Sequence, residues 1–269
     1  MTLAEVYQSI RPRYPELAGK VAVVTGSSKG IGRGIALRLA REGMRVVIHG
    51  QSSDEVGQTV EEFNSLGVDA VGVSSDFADR HGVERLFDAV RARYDELALL
   101  VNNAADLRRT DIDTLSVELL DYQLEVNVRA PLLCSMQARP MLGPGQAGSI
   151  VNISSVGGQR AHLPGLPYDM AKGAIESMTR ALALNLAKDG IRVNAIAPGA
   201  TRGWRTPPPD DERVKAICAR IPLGRFGTDL DVAAMVAFLA SADADYITGQ
   251  VFAVDGGISA QLSPPGQPI

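Results

Sequence analysis

Tyr168 and Lys172 frame the stretch YDMAK, four positions apart in a segment that continues AKGAIESMTRALALNLAKDG. The alanines and leucines of that segment read as helix, and four residues make about one turn, so the two side chains share a face. A tyrosine hydroxyl, with an ordinary pKa of about 10, exchanges protons poorly near neutrality unless its anion is stabilised. An ammonium one turn away supplies that stabilisation. Taken alone, the pair reads as an ordinary aromatic and a solvated cation, so its meaning depends on what surrounds it.

A second group of residues could bind an anion. TGSSKGIG, Thr25 to Gly32, follows the apolar run VAVVT and leads straight into the helical GIALRLAREG. Glycines allow a tight turn and close approach of backbone to a ligand, while a helix N-terminus offers unpaired N–H groups and partial positive charge to a pyrophosphate. Gly26, Gly30 and Gly32 therefore read as a dinucleotide turn, with Ser28, Lys29 and Ile31 between them, although their spacing differs from GxGxxG. At the end of the next apolar run an acidic residue would hold the ribose hydroxyls of NAD. Here the chain gives His49, Gly50, Gln51, Ser52 and Ser53, with no acid before Asp54. A 2′-phosphate meets no repulsion at Gln51 and Ser52, and Lys29 adds an attractive charge. NADP(H) is the favoured cofactor and NAD(H) the alternative.

The elements that position these groups follow from hydrophobic patterning. VAVVT (21–25), RVVIH (45–49), DAVGV (69–73), LALLVN (97–102), SIVNI (149–153), IRVNAI (191–196) and QVFAV (250–254) are too apolar to alternate, as in strands buried on both faces. Helical stretches near 31–42, 54–66, 80–93, 115–139, 168–188 and 229–240 lie between them and are long enough for crossovers. The expected fold is α/β: a single doubly wound Rossmann-like domain, with a seven-stranded parallel sheet and helices on both faces. Residues 18–258 would form it, with an N-terminal extension (1–17) and a C-terminal tail (259–269). TRGWRTPPPDDER interrupts the pattern, since consecutive prolines continue neither helix nor central strand.

With 269 residues, 45% hydrophobic and 22% charged, the composition is that of a globular protein, and no apolar run approaches the roughly 18 residues of a membrane span. A net charge of −4 argues against a general nucleic-acid binder. The first nineteen residues lack the apolar core of a secretory signal, so a cytoplasmic location is expected. Cys134 and Cys218 belong to no CxxC pattern, and His49, His81 and His162 are scattered, so neither a disulfide nor a metal site is expected.

In order along the chain, TGSSKGIG, NNAA (102–105), Asn127 in LEVNV, SIVNISS, YDMAK and NAIAPG resemble the signatures of the short-chain dehydrogenase/reductase family over about residues 18–258. The resemblance implies a catalytic tetrad of Asn127, Ser155, Tyr168 and Lys172. Ser155 is selected because it lies thirteen positions before the tyrosine, and Ser154 is its structural neighbour. Ketone reduction needs a hydride at carbon and a proton at oxygen, and a nicotinamide supplies only the hydride. Tyr168 would supply the proton, Lys172 would favour the phenolate and reach the nicotinamide ribose, and Ser155 would bond the substrate oxygen. Asn127 would hold a water linking Lys172 to solvent. The resemblance also implies that Asp76, with Phe77 beside it, lies near the adenine, a helix N-cap being the alternative for Asp76. It further places Asn102, Asn103 and Ala104 beneath the adenine ribose and Pro198 and Gly199 over the nicotinamide. Ala105 stands where the family has glycine, and Gly203 where it has threonine, leaving Thr201 as the candidate for the carboxamide.

Residues 201–227 correspond to the family's substrate lid. Within it Trp204 packs over substrate or anchors the loop, and Arg202 and Arg205 either attract an anion or are solvated. His162 and Leu163 are candidate pocket residues. The resemblance further implies a homotetramer. The leading expectation is an NADP(H)-dependent oxidoreductase acting on a small-molecule carbonyl or secondary alcohol, resembling 3-oxoacyl-carrier-protein reductases and glucose 1-dehydrogenases. The alternatives are an NAD-preferring sugar or alcohol dehydrogenase and a catalytically silent dinucleotide-binding sensor or scaffold.

Overall fold

Seven short apolar runs become seven parallel strands: β1 (Val21–Val24), β2 (Arg45–Gly50), β3 (Ala70–Ser74), β4 (Leu99–Asn102), β5 (Ser149–Ile153), β6 (Arg192–Pro198) and β7 (Val251–Val254). They form one sheet in the order β3-β2-β1-β4-β5-β6-β7. The computed structural model describes residues 2–143, 148–202 and 208–267. The helices are α1 (Leu3–Ser9), α2 (Gly30–Arg41), α3 (Ser53–Ser65), α4 (Gly82–Arg91), α5 (Val117–Leu124), α6 (Ala130–Leu142), α7 (Tyr168–Leu186), α8 (Glu212–Cys218) and α9 (Asp229–Ala240).

β1 shows why the strands do not alternate between apolar and polar. All four of its residues are buried. Ala22 and Val24 join a core with residues of α2, α3 and α9 on one face. Val21 and Val23 point the other way, into a core shared with α4, α6 and α7. Each face thus needs its own apolar partners, and a period-2 strand satisfies both only by being apolar throughout. The chain reverses its direction of sheet growth between β1 and β4, which pair directly. The carboxyl ends of these strands flank the crevice where open α/β sheets bind ligands.

Three elements depart from the sequence expectation. The helix expected over 115–139 is α5, a π-helical turn at Glu125–Arg129 and α6. Pro131 accounts for the break: it lacks an N–H, so the carbonyl of Asn127 loses its regular helical donor, and its ring displaces that carbonyl. α1 was not expected; its Thr2–Glu5 capping box starts it, and the chain beyond it docks on α2, where Glu42 accepts the N–H groups of Arg13 (2.7 Å) and Tyr14 (2.9 Å). α8, inside the 201–227 segment, also lacks a long apolar period; Asp211 caps it. Among the described residues no helix is long and apolar enough to cross a membrane.

Candidate active site

Three groups converge at the end of β5. Ser155 follows that strand and is 5% exposed; Tyr168 and Lys172, in the first turns of α7, are 6% and 3% exposed. The Ser155 hydroxyl accepts the Gly157 N–H at 3.1 Å, which fixes its rotamer. Ser154, also buried, donates to the Lys172 carbonyl and the Glu176 carboxylate, tying β5 to α7 as a structural neighbour. The Lys172 ammonium lies 5.5 Å from the centre of the Tyr168 ring and donates to the Ile153 carbonyl at 2.7 Å. Burial lowers its pKa to about 8.

Burial likewise pushes the Tyr168 hydroxyl above the usual tyrosine range, while Ser155 and the Arg109 guanidinium pull it down. The cation that opposes burial is therefore Arg109. Arg109 stands 4.9 Å from the ring centre, and sequence reasoning missed it. Its neighbour Thr110 donates a backbone bond of 2.7 Å to the Leu166 carbonyl, which joins the loop after β4 to the loop before α7. His162, a candidate pocket residue, is tied to Asp169 by its ring Nδ1 and its backbone N–H, both at 2.7 Å, whereas Leu163 is almost fully exposed.

Asn127 sits in the π-helical turn, against which α7 packs. Its amide is fully engaged: Oδ1 accepts the Asp106 N–H at 2.7 Å, and Nδ2 donates to the Asp106 carbonyl at 3.0 Å and to Gln123 Oε1 at 3.3 Å. The group left to act is its backbone carbonyl, the one deprived of a donor by Pro131.

Across the crevice, the glycine turn is fixed by backbone and neutral side chains. Gly26 (φ +64°) and Gly30 (φ +58°) occupy the left-handed region, and a Cβ on Gly26 would lie 2.7 Å from the Ala104 Cα. Gly30 faces open space. α2 starts at Lys29 with no side-chain cap, so its first N–H groups point outward unclaimed by a side chain. Asn103 Nδ2 donates to the carbonyls of Thr25 and Gly26, and Thr25 Oγ1 accepts from Asn103 and Ala104. Asn102 turns inward to Asn152 and Ser135. His49, buried, accepts the Gly26 N–H on Nδ1 at 3.2 Å and contacts Ser75 Oγ through Nε2 at 3.0 Å. Burial lowers its pKa to about 4, so it is neutral at physiological pH. Nothing in its local sequence marks His49 as the prop of the turn.

At the end expected to face the adenosine, Gln51 is exposed and donates to Asp76 at 2.8 Å. Ser52 caps α3. Asp76 also accepts the Ala78 N–H and is no helix cap, since α4 begins after His81. The Phe77 ring is buried against His49 at 4.3 Å, leaving only its backbone for a ligand. Lys29 pairs with Glu55 at 2.8 Å, a partner that the sequence reading did not foresee. Ser28, Lys29, Arg33, Glu55 and Thr59 line a cavity of about 250 Å³. Ile31 packs against the core. Pro198 ends β6, the Gly199 N–H is bonded to Val254, and Thr201 Oγ1 donates to the Gly199 carbonyl at 3.2 Å. Thr201 and Gly227 bridge the base of the lid segment. Gly203, Trp204 and Arg205 lie outside the described residues, and the described Arg202 is tied by its N–H to the Gly227 carbonyl.

The chain is similar to known proteins over most of its length. The family model described as Enoyl-(Acyl carrier protein) reductase matches residues 26–259. A 3-oxoacyl-[acyl-carrier-protein] reductase of Staphylococcus aureus is 38% identical over 240 residues, covering 89% of this chain and 98% of that protein. The chain belongs to the short-chain dehydrogenase/reductase family. This family member is also 38% identical to glucose 1-dehydrogenase 2 of Bacillus subtilis over 253 residues, 91% of this chain and 97% of that one. A short-chain dehydrogenase of Burkholderia cenocepacia, solved in complex with NADP, superposes with a TM-score of 0.83 at 36% identity over 90% of this chain and 98% of that one. Like its relatives, the short-chain dehydrogenase/reductase described here is an oxidoreductase enzyme.

Proposed function

We propose that the enzyme is an NADP(H)-dependent oxidoreductase that interconverts a small-molecule carbonyl and secondary alcohol, with Tyr168 as the general acid/base. The observation that carries this reading is the convergence of Ser155, Tyr168 and Lys172 in one buried site opposite the glycine turn. A dinucleotide suits that turn: Gly30 faces open space, and α2 presents uncapped N–H groups to a pyrophosphate. When bound, the nicotinamide supplies or accepts the hydride.

The chain's own residues handle the proton. Burial keeps Tyr168 a neutral phenol, the form that donates to a developing alkoxide. Ser155 orients the carbonyl oxygen and stabilises its charge. The phenolate left behind is stabilised by the cations of Lys172 and Arg109. Lys172, with a pKa near 8, exchanges protons near neutrality, and the Asn127 carbonyl would hold a water that links it to solvent. In oxidation the same groups act in reverse.

NADP(H) is favoured because β2 ends at Gly50 and is followed by Gln51 and Ser52 rather than an acid. The Lys29–Glu55 pair supports NAD(H) as the second reading, since it offsets the charge that would meet a 2′-phosphate. A silent binding protein fits less well, because binding a dinucleotide gives no use for a buried Ser155 and Tyr168 together. A homotetramer in the cytoplasm remains the assembly and location that the family implies. Turnover of a panel of ketones, sugars, alcohols and 3-oxoacyl thioesters, run in parallel with both cofactors, tests the reading. Reduction with NADPH at the lower KM is expected; strong preference for NADH overturns the cofactor assignment, and no turnover with either overturns the catalytic one.

A further inference from the structure

We infer that Arg109 seats a carboxylate of the substrate, so that the enzyme acts on oxo acids and the corresponding hydroxy acids. The inference rests on the reading of Tyr168 as the proton donor, and it begins with a contrast between neighbours. Arg108 and Arg109 are adjacent and both exposed. Arg108 is spent within the fold: it pairs with Asp106 at 2.6 Å and lies over the Tyr122 ring at 4.8 Å. Arg109 turns the opposite way, with its guanidinium 4.9 Å from the Tyr168 ring centre.

The acids around Arg109 are committed elsewhere. Asp106 holds Arg108 and Gln123. Asp111 accepts from Thr114, and Asp169 accepts twice from His162. Among the described residues Arg109 has no carboxylate partner. Its position is not that of a loose surface chain either, since the adjoining Thr110 N–H is bonded to the Leu166 carbonyl, two residues before Tyr168. A planar, permanently charged fork held beside the proton donor is suited to a planar anion. Because the fork acts on the phenol itself, an anion seated on it lies next to the carbonyl that Tyr168 protonates. A carboxylate there also offsets the cation that would otherwise favour the phenolate, and so keeps Tyr168 a proton donor during reduction.

The test compares acetoacetate and levulinate with their methyl esters, and includes dihydroxyacetone phosphate, in the wild type, Arg109→Met and Arg109→Lys. In the wild type the acids are preferred to their esters. Whatever loss the missing cation beside Tyr168 imposes on both substrates alike, removal of a charge-assisted bidentate contact is expected to lower the acid-over-ester ratio of kcat/KM about 10- to 100-fold in Arg109→Met, through KM for the acids, with Arg109→Lys intermediate. Equal losses on acid and ester overturn the inference, as does a preference for the phosphate over the carboxylates. A second measurement is independent of turnover: calorimetric titration of acetoacetate into Tyr168→Phe protein loaded with NADP. Adding Arg109→Met in that background is expected to weaken binding by the same factor. An unchanged affinity overturns the role of Arg109, whereas failure of every ketone to react overturns the reading of Tyr168 instead.

Discussion

Two strand-to-helix turns face the same crevice, one after β1 and one after β5, and they are built from opposite materials. In the first, the polar contacts are made by backbone groups, Thr25, Asn103 and a histidine held neutral by burial. In the second, a buried serine, tyrosine and lysine carry the contacts, and burial moves both the tyrosine and the lysine from their ordinary pKa values. The difference matches the two tasks. A fixed anion is best met by donors that do not titrate, whereas a proton is moved only by groups whose charge states lie close in energy.

The comparison can be broken most severely at Gly32. A Cβ there would overlap the Gly26 carbonyl and Asn103 Nδ2. Gly32→Ala is expected to weaken NADPH binding about 100-fold, read by fluorescence titration, and to cost about 1–3 kcal/mol in urea unfolding. A variant that binds cofactor normally would show that the turn is not held by backbone contact.

Acid acts on the first turn through His49. Its folded pKa, about 4, lies below the unfolded value of 6.5, so between these pH values the unfolded chain binds more protons. Stability is therefore full above pH 6.5 and falls as pH drops toward 4, by about 3 kcal/mol from this group. Urea midpoints measured across that window should show a slope that His49→Gln flattens. Lys172 shows the same sign in another window: its folded pKa of about 8 lies below 10.5, so its burial penalty is already fully present at neutral pH. The binding turn is thus unstrained where the enzyme works, and the proton-transfer turn is not.

The smallest effect belongs to the Lys29–Glu55 pair, which is roughly half exposed. Glu55→Gln removes a carboxylate that competes with a 2′-phosphate for Lys29, and a rise of about three- to fivefold in affinity for NADPH relative to NADH is expected, since exposed charge pairs contribute about 1 kcal/mol or less. Equal affinities before and after would place the phosphate away from Lys29.

What could be read from the sequence was what is local. The strands emerged because burial on both faces leaves continuous apolar runs, as in SIVNI, and the Tyr168–Lys172 pair because one helical turn fixes its geometry. The glycine turn emerged for the same reason. Arg109 and His49 did not, because each acquires its role only when segments distant in sequence meet: the loop after β4 against the loop before α7, and the end of β2 against the turn after β1. The break at Asn127 lies between these cases. Pro131 announces it, but the helical periodicity on either side conceals it.

The central claim, that Tyr168 supplies the proton while the opposite turn independently holds the cofactor, is tested most directly by measuring kcat and the NADPH dissociation constant together in Tyr168→Phe. The account predicts that kcat falls by about 10³-fold with the dissociation constant unchanged within about twofold. Wild-type turnover in that variant, or a loss of activity that follows entirely from lost NADPH binding, would contradict it.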